Sequence, residues 1–427
     1  MRNVFTNRNY RLVFFGALVS NVGALLYSFA VSFYILEITN NNAFLQGLYL
    51  ALCGAVNLIF TPVGGILGDR FHKGKIMFIC DDLKGGIILL ATAAMLLFRE
   101  KTAHLIILFA VGILGNAIGG VFSPASGALL VHIVEEQQLQ QANSYFSIMQ
   151  SLQSIVGVVL AGVLYATLPI HLLFLIVGVC YVLSGVSEMF IRYAHEPKPG
   201  KLTVRSALSD FGEGIRYIRG QKALTAMMAA ILFINFFFSP IASNFIPYFI
   251  KTDLAGAEHY LFDRLLKPEL WSSALSVLIG VSSMVGALIL SAKPQKEKVG
   301  RSVSWWLFAM AVMLMLLTAG YWVFVARGVS INTFLILMAA GCLFIGFDVV
   351  QINIPTNTVI MRIVDKNMLS KVNSVISIAS QGLIPIASVL AGAVLQGFGS
   401  TALLLLCTVG FFITALSMLL NPRVKEI

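Results

Sequence analysis

Long apolar runs dominate the chain, each closed off by a short polar or charged cluster. A helix of about 20 apolar residues crosses the hydrocarbon core of a bilayer. Lipid offers backbone amides no partner, so each run is predicted to be a spanning helix. Twelve runs are present. The first six cover Arg11 to Leu36, Ala43 to Leu67, Ile76 to Phe98, Leu105 to His132, Ser144 to Leu168 and Leu172 to Ile191. The second six cover Leu224 to Ile250, Trp271 to Leu290, Val303 to Val325, Thr333 to Val359, Val372 to Phe398 and Ala402 to Leu420. Period-2 alternation is absent, which argues against an outer-membrane barrel. The pattern predicts an all-α integral membrane protein of twelve transmembrane helices.

Composition agrees. Charged residues make up 11% of the chain and hydrophobic residues 58%, and the mean hydropathy is +0.88. Soluble domains carry about 25% charged residues. The first run is too long for a signal peptide and no small-x-small site follows it, so it is expected to stay as the first helix.

The net charge of +10 is a topology signal rather than a sign of nucleic-acid binding. Most Lys and Arg fall on one side of the predicted spans, among them Arg8, Arg11, Arg70, Lys73, Lys75, Arg205, Arg216, Arg219, Lys296, Arg301 and Lys371. The positive-inside rule puts that side, and both termini, in the cytoplasm of a cell-membrane protein. All five cysteines fall inside predicted spans and none forms a CxxC pair, so no metal site or disulfide framework is expected.

The chain divides into two six-helix bundles, 1–193 and 223–427, joined by a cytoplasmic linker at 194–222. Within the linker Leu208, Phe211, Ile215 and Ile218 recur at helical spacing, which predicts an amphipathic helix at the membrane surface. His132–Ile148 aligns with Arg362–Ile378 and Val159–Gly162 with Val389–Gly392, an internal repeat that supports two pseudo-symmetric halves.

The loop after the second run reads Gly65-Ile-Leu-Gly-Asp69-Arg70-Phe-His-Lys73-Gly-Lys75. It resembles the GxxxDRxGRK signature of the major facilitator superfamily. Asn7-Arg-Asn-Tyr-Arg11-Leu, Ser20-Asn-Val-Gly23, Asp81-Asp-Leu-Lys84, Pro124-Ala125 and Val134-Glu-Glu-Gln-Gln-Leu139 are similar to segments of its macrolide-efflux and siderophore-export branch. The resemblance implies a conformational latch on the cytoplasmic side. Gly65 would let two helices approach. Asp69 would accept from amides at the start of the eleventh helix, near Asn373. Arg70 would pair with Glu135 or Glu136, and Lys73 and Lys75 would assist or anchor. The matching loop of the second half, Lys293 to Arg301, lacks an Asp-Arg pair. Many drug–proton antiporters of this kind carry an acid in helix 1 and an arginine in helix 4. Here the first run has no charge before Glu37, and Asn116 stands in the fourth.

Ionisable groups inside spans are functional candidates, because burial favours the neutral carboxyl and lets a membrane acid carry a proton. Asp348 is the deepest. Asp81, Asp82 and Lys84 lie in the third run, where Asp81 and Lys84 share a face and are expected to pair. Glu188 is expected at the interface. The resemblance implies a cavity lined by helices 1 and 7. Helix 1 offers Asn21 and Tyr27, and helix 7 offers Asn235, Asn244 and Phe237 beside Pro240 and Pro247, which permit bending.

An aromatic cavity with a few amides suits a bulky amphipathic substrate. The leading expectation is a monomeric secondary transporter exporting such a molecule, macrolide-like, by proton antiport across the lipid bilayer. The alternative is lysophospholipid or siderophore translocation without proton coupling. Gly68 to Lys75 lacks the spacing and the Ser or Thr of a P-loop, which excludes ATP drive, and no HExxH or GxSxG motif points to an enzyme. No cofactor is expected.

Overall fold

The computed structural model describes residues 4–134, 139–193, 204–264, 266–291, 299–364 and 368–422. All of the regular structure among them is helical. In chain order the helices are α1 (Arg8–Ile38), α2 (Ala43–Arg70), α3 (Lys73–Leu97), α4 (Lys101–Ile133), α5 (Leu139–Leu152), α6 (Val158–Thr167), α7 (Ile170–Met189), α8 (Val204–Gly220), α9 (Lys222–Pro240), α10 (Ile246–Phe249), α11 (Pro268–Ser291), α12 (Val299–Arg327), α13 (Ile331–Ile363), α14 (Leu369–Gly382) and α15 (Ile384–Leu420).

Nine helical stretches among the described residues are long and apolar enough to cross a bilayer. Three details reconcile them with twelve runs. The charged trio of Asp81, Asp82 and Lys84 sits on α3. A wide π turn at Gln153–Gly157 separates α5 from α6. Two spans merge within α15, where Gly399 has φ 80° and ψ 176°. That conformation is essentially restricted to glycine.

The seventh run is one helix widened twice. A π turn at Ile241–Phe245 follows Pro240, and another at Ile250–Leu254 follows Pro247. Proline supplies no N–H and its ring crowds the carbonyl four residues back, so the ladder loosens beside it.

The chain forms two compact units, Met1–Asn40 with Leu52–Ala207, and Asn41–Ala51 with Leu208–Ile427. In the first, α3 packs on α7 and α4, and α1 packs on α7. Its core gathers Tyr10, Met77, Ala125, Leu129 and Ala142. In the second, α12 packs on α13 and α15, α9 packs on α15, and α11 packs on α13. From Leu208 on, the amphipathic helix α8 belongs to this unit, with Ile218 buried in the core beside Leu224 and Val299 and with Phe211 and Ile215 packed against it.

Small residues set the closest crossings. A Cβ on Gly64 would lie 2.6 Å from the Gly120 carbonyl oxygen, and one on Gly120 would lie 2.8 Å from that of Asn57, so α2 and α4 touch backbone to backbone. The expectation for Gly65 is corrected here. A Cβ on Gly65 meets nothing within 4 Å, and the close approach belongs to its neighbour Gly64, because one residue rotates about 100° around the helix.

Candidate functional site

The signature segments sort into those that hold the unit together and those that bury charge. Asn7 is the N-cap of α1, accepting from the amides of Asn9 and Tyr10, and its Nδ2 donates to Ile133 O at 2.6 Å. Asn9 exchanges two hydrogen bonds with Arg192, and the Tyr10 hydroxyl donates to Ala142 O at 3.1 Å. The Asn7–Tyr10 segment therefore ties the start of α1 to α4, α5 and the chain after α7.

Asp69 and Arg70 end α2, and Asn373 lies in α14. Their side chains, and Glu135 and Glu136 altogether, lie outside the described part of the structure. The expected helix start near Asn373 is corrected. α14 begins at Leu369 with Met368 as N-cap, so Asn373 sits a turn inside the helix. Lys75 is exposed, whereas Lys73 is buried. The Lys73 amide donates to the Tyr193 hydroxyl oxygen at 2.8 Å, and the His72 ring lies against the Tyr193 ring. Burial pushes the Tyr193 phenol above its ordinary range, with the Lys73 amide opposing.

Asp348 is 0% exposed, and neither of its carboxyl oxygens has a hydrogen-bond partner among the described residues. It lies one turn from Ile345 and Ile352, which face the core shared by α9, α12 and α15. On the neighbouring face the α11–α13 crossing is tight. Ser283 Oγ donates to Gly346 O at 2.8 Å, and Gln351 Nε2 donates to Gly286 O at 3.4 Å.

Asp81 and Lys84 are not joined by an ion pair among the described residues. Lys84 Nζ instead lies 4.5 Å above the Tyr181 ring, a cation–π contact. Asp82 abuts Gly185 of α7. Glu188, expected at the interface, is 1% exposed. The reason is that α1 and α3 both close over the end of α7 at this point.

The cavity candidates divide. Asn21 is exposed on α1, and Tyr27 packs on Phe174, ring centroids 5.4 Å apart. Asn116 donates to Gly112 O at 2.8 Å, and its own carbonyl accepts from Asn57. Asn235 donates to Ile231 O at 2.8 Å. Asn244 is fully buried, accepts from Ser243 and donates to Ser388 O at 3.3 Å, where the π turn at Ile241–Phe245 meets α15. Phe237 presses on Gly410 of α15 and lines a groove of about 470 Å³ shared by those two helices.

Sequence reasoning also passed over Asp253. Its carboxylate accepts from the Tyr321 hydroxyl at 3.0 Å, near an ion pair of Lys251 with Glu269 at 3.3 Å. The signal was available as an acid at the end of an apolar run.

A sequence profile for the Major Facilitator Superfamily matches residues 13–388. The MFS-type transporter YvqJ of Bacillus subtilis (strain 168) is 24% identical over 98% of this chain and 93% of its own length. Macrolide efflux protein A of Streptococcus pyogenes is 26% identical over 56% of this chain and 58% of its own. In three dimensions, a bacterial homologue of the iron transporter ferroportin, crystallised in an inward-facing state, superposes with a TM-score of 0.69 at 15% identity. That match covers 96% of this chain and 98% of the homologue.

Proposed function

Because this chain belongs to the Major Facilitator Superfamily, we propose that it exports a hydrophobic or amphipathic small molecule by alternating access in exchange for protons. Asp348 would be the proton carrier, and both termini would lie in the cytoplasm. The superfamily makes it a multi-pass membrane transporter; the substrate, the direction and the coupling are the proposal. One observation carries the coupling. Asp348 is a carboxyl buried in a spanning helix with both oxygens unpartnered among the described residues. Such a group is costly to bury, which makes it a functional candidate. The likeness to Macrolide efflux protein A supports a bulky, weakly charged substrate.

A second reading has its own support. α1 carries no acid before Glu37, and Glu37 accepts from the Tyr165 hydroxyl at 2.8 Å at the far end of the helix. Uncoupled translocation of a lysophospholipid or siderophore needs no acid there.

The test is accumulation of a fluorescent macrolide in a bacterium stripped of its main efflux pumps, with and without a protonophore. The expected result is low accumulation with wild type. Both the protonophore and Asp348→Asn restore it. Unchanged accumulation with correctly inserted protein overturns macrolide export and promotes the second reading.

A further inference from the structure

The first unit buries a second set of acids, at the place where α1, α3 and α7 cross. Glycines make the crossing close. A Cβ on Gly16 of α1 would lie 2.8 Å from Ser187 Oγ, and one on Gly85 of α3 would lie 2.9 Å from the Gly178 carbonyl oxygen. Asp81 and Glu188 are 3% and 1% exposed. Asp81 Oδ2 and both Glu188 oxygens lack a hydrogen-bond partner among the described residues. The two acids lie within electrostatic reach of each other.

The twin crossing in the second unit shows that packing does not require these acids. The internal repeat continues in register through α7 and α15, pairing Tyr181 with Phe411, Ser184 with Thr414, Gly185 with Ala415, Ser187 with Ser417 and Glu188 with Met418. Aligning Lys75 with Arg301 pairs Asp81 with Leu307, Lys84 with Met310 and Gly85 with Ala311. Leu307, Met310, Phe411 and Met418 all lie in one buried apolar core. The same architecture is thus closed by hydrocarbon in one half and by incompletely partnered carboxyls in the other. Buried acids without partners cost stability, so their presence calls for a use.

Ser184 indicates what that use is. Its hydroxyl has a single hydrogen, donated to Gly16 O at 2.9 Å across the α1–α7 contact. The same hydroxyl lies within hydrogen-bond reach of Asp81. One hydrogen cannot serve both acceptors at once: an ionised Asp81 competes for it with Gly16 O, and a protonated Asp81 leaves it on Gly16 O.

We propose that Asp81 and Glu188 form a proton-binding site of the N-terminal bundle, whose protonation is reported to α1 through the Ser184–Gly16 hydrogen bond. The proposal rests on the proton-coupled reading above and adds a carrier to Asp348. The titratable neighbours are Cys80, Asp82 and Lys84 on α3 and Tyr181 on α7. α1 brings Gly16 to the cluster and α4 brings Gly115 against the Lys84 stem, neither of them ionisable.

The test is an infrared pH titration of the purified protein in lipid nanodiscs, following the carboxylic-acid carbonyl stretch, and it needs no substrate. The variants are Asp81→Leu/Glu188→Met, which installs the residues of the twin crossing, and Glu188→Gln in case the double variant fails to insert. Wild type is expected to show a pH-dependent band that either variant loses and Asp348→Asn keeps. The double variant should melt at or above the wild-type temperature. Ser184→Ala should keep the band at a shifted frequency. An unchanged titration in a folded variant overturns the proposal, as does a band that responds to sodium at constant pH. A failure of macrolide export would leave this readout unaffected, so the two proposals can fail separately.

Discussion

Asn7 donates from Nδ2 to the carbonyl oxygen of Ile133, 2.6 Å away, while its Oδ1 caps the first turn of α1. One short side chain thereby closes the start of α1 onto the end of α4. Asn7→Ser keeps the cap but cannot reach Ile133, and should cost about 1 kcal/mol. Asn7→Ala loses both and should cost about 2 kcal/mol. Thermal unfolding followed by size-exclusion chromatography should rank wild type above Asn7→Ser above Asn7→Ala. Equal melting of the two variants would mean that the bond to Ile133 contributes nothing.

Gly64 and Gly65 are neighbours in sequence but differ in packing. A methyl at Gly64 would meet the backbone of Gly120 and Val121 within 2.7 Å, whereas one at Gly65 meets open space. Overpacking of this kind costs about 1–3 kcal/mol. Gly64→Ala should therefore lower melting temperature and yield, and Gly65→Ala should melt like wild type. The reverse order would refute the helix register given for α2.

Asn244 is buried where the π turn at Ile241–Phe245 meets α15. Asn244→Ala should destabilise the protein by about 1–2 kcal/mol through lost hydrogen bonds. The apparent KM for any transported substrate should not change in the fraction that remains folded. A raised KM with unchanged melting would return Asn244 to a substrate cavity.

Gly399 sits at φ 80° between the last two spans. A side chain there is strained by about 1–3 kcal/mol. Gly399→Ala should lower the melting temperature although nothing lies within 4 Å of the added methyl. A variant as stable as wild type would show that the turn adopts another conformation.

The spans were legible in the sequence because lipid leaves a backbone no choice. Arg11 to Leu36 fills α1 almost end to end, and Ala402 to Leu420 forms the part of α15 after Gly399. Prolines 240 and 247 likewise foretold a loosened seventh span, though not the two separate π turns. The side chains were less legible. Periodicity places Asn244 and Phe237 on a helix without saying which neighbour covers them, and a motif marks Gly65 although Gly64 makes the contact.

The sequence by itself determined that this chain threads a bilayer as helices and carries an internal repeat, and its loop at Gly65 to Lys75 resembles a transporter-family signature. Hydropathy, repetition and a local motif all act along the chain. Only the tertiary structure decided which charges are hidden. Glu188 reads as an interfacial acid at the end of its run, yet α1 and α3 close over it and leave it 1% exposed. Lys84 reads as the partner of Asp81, yet it faces Tyr181. Burial depends on contacts between residues far apart in the chain, and no local pattern encodes them.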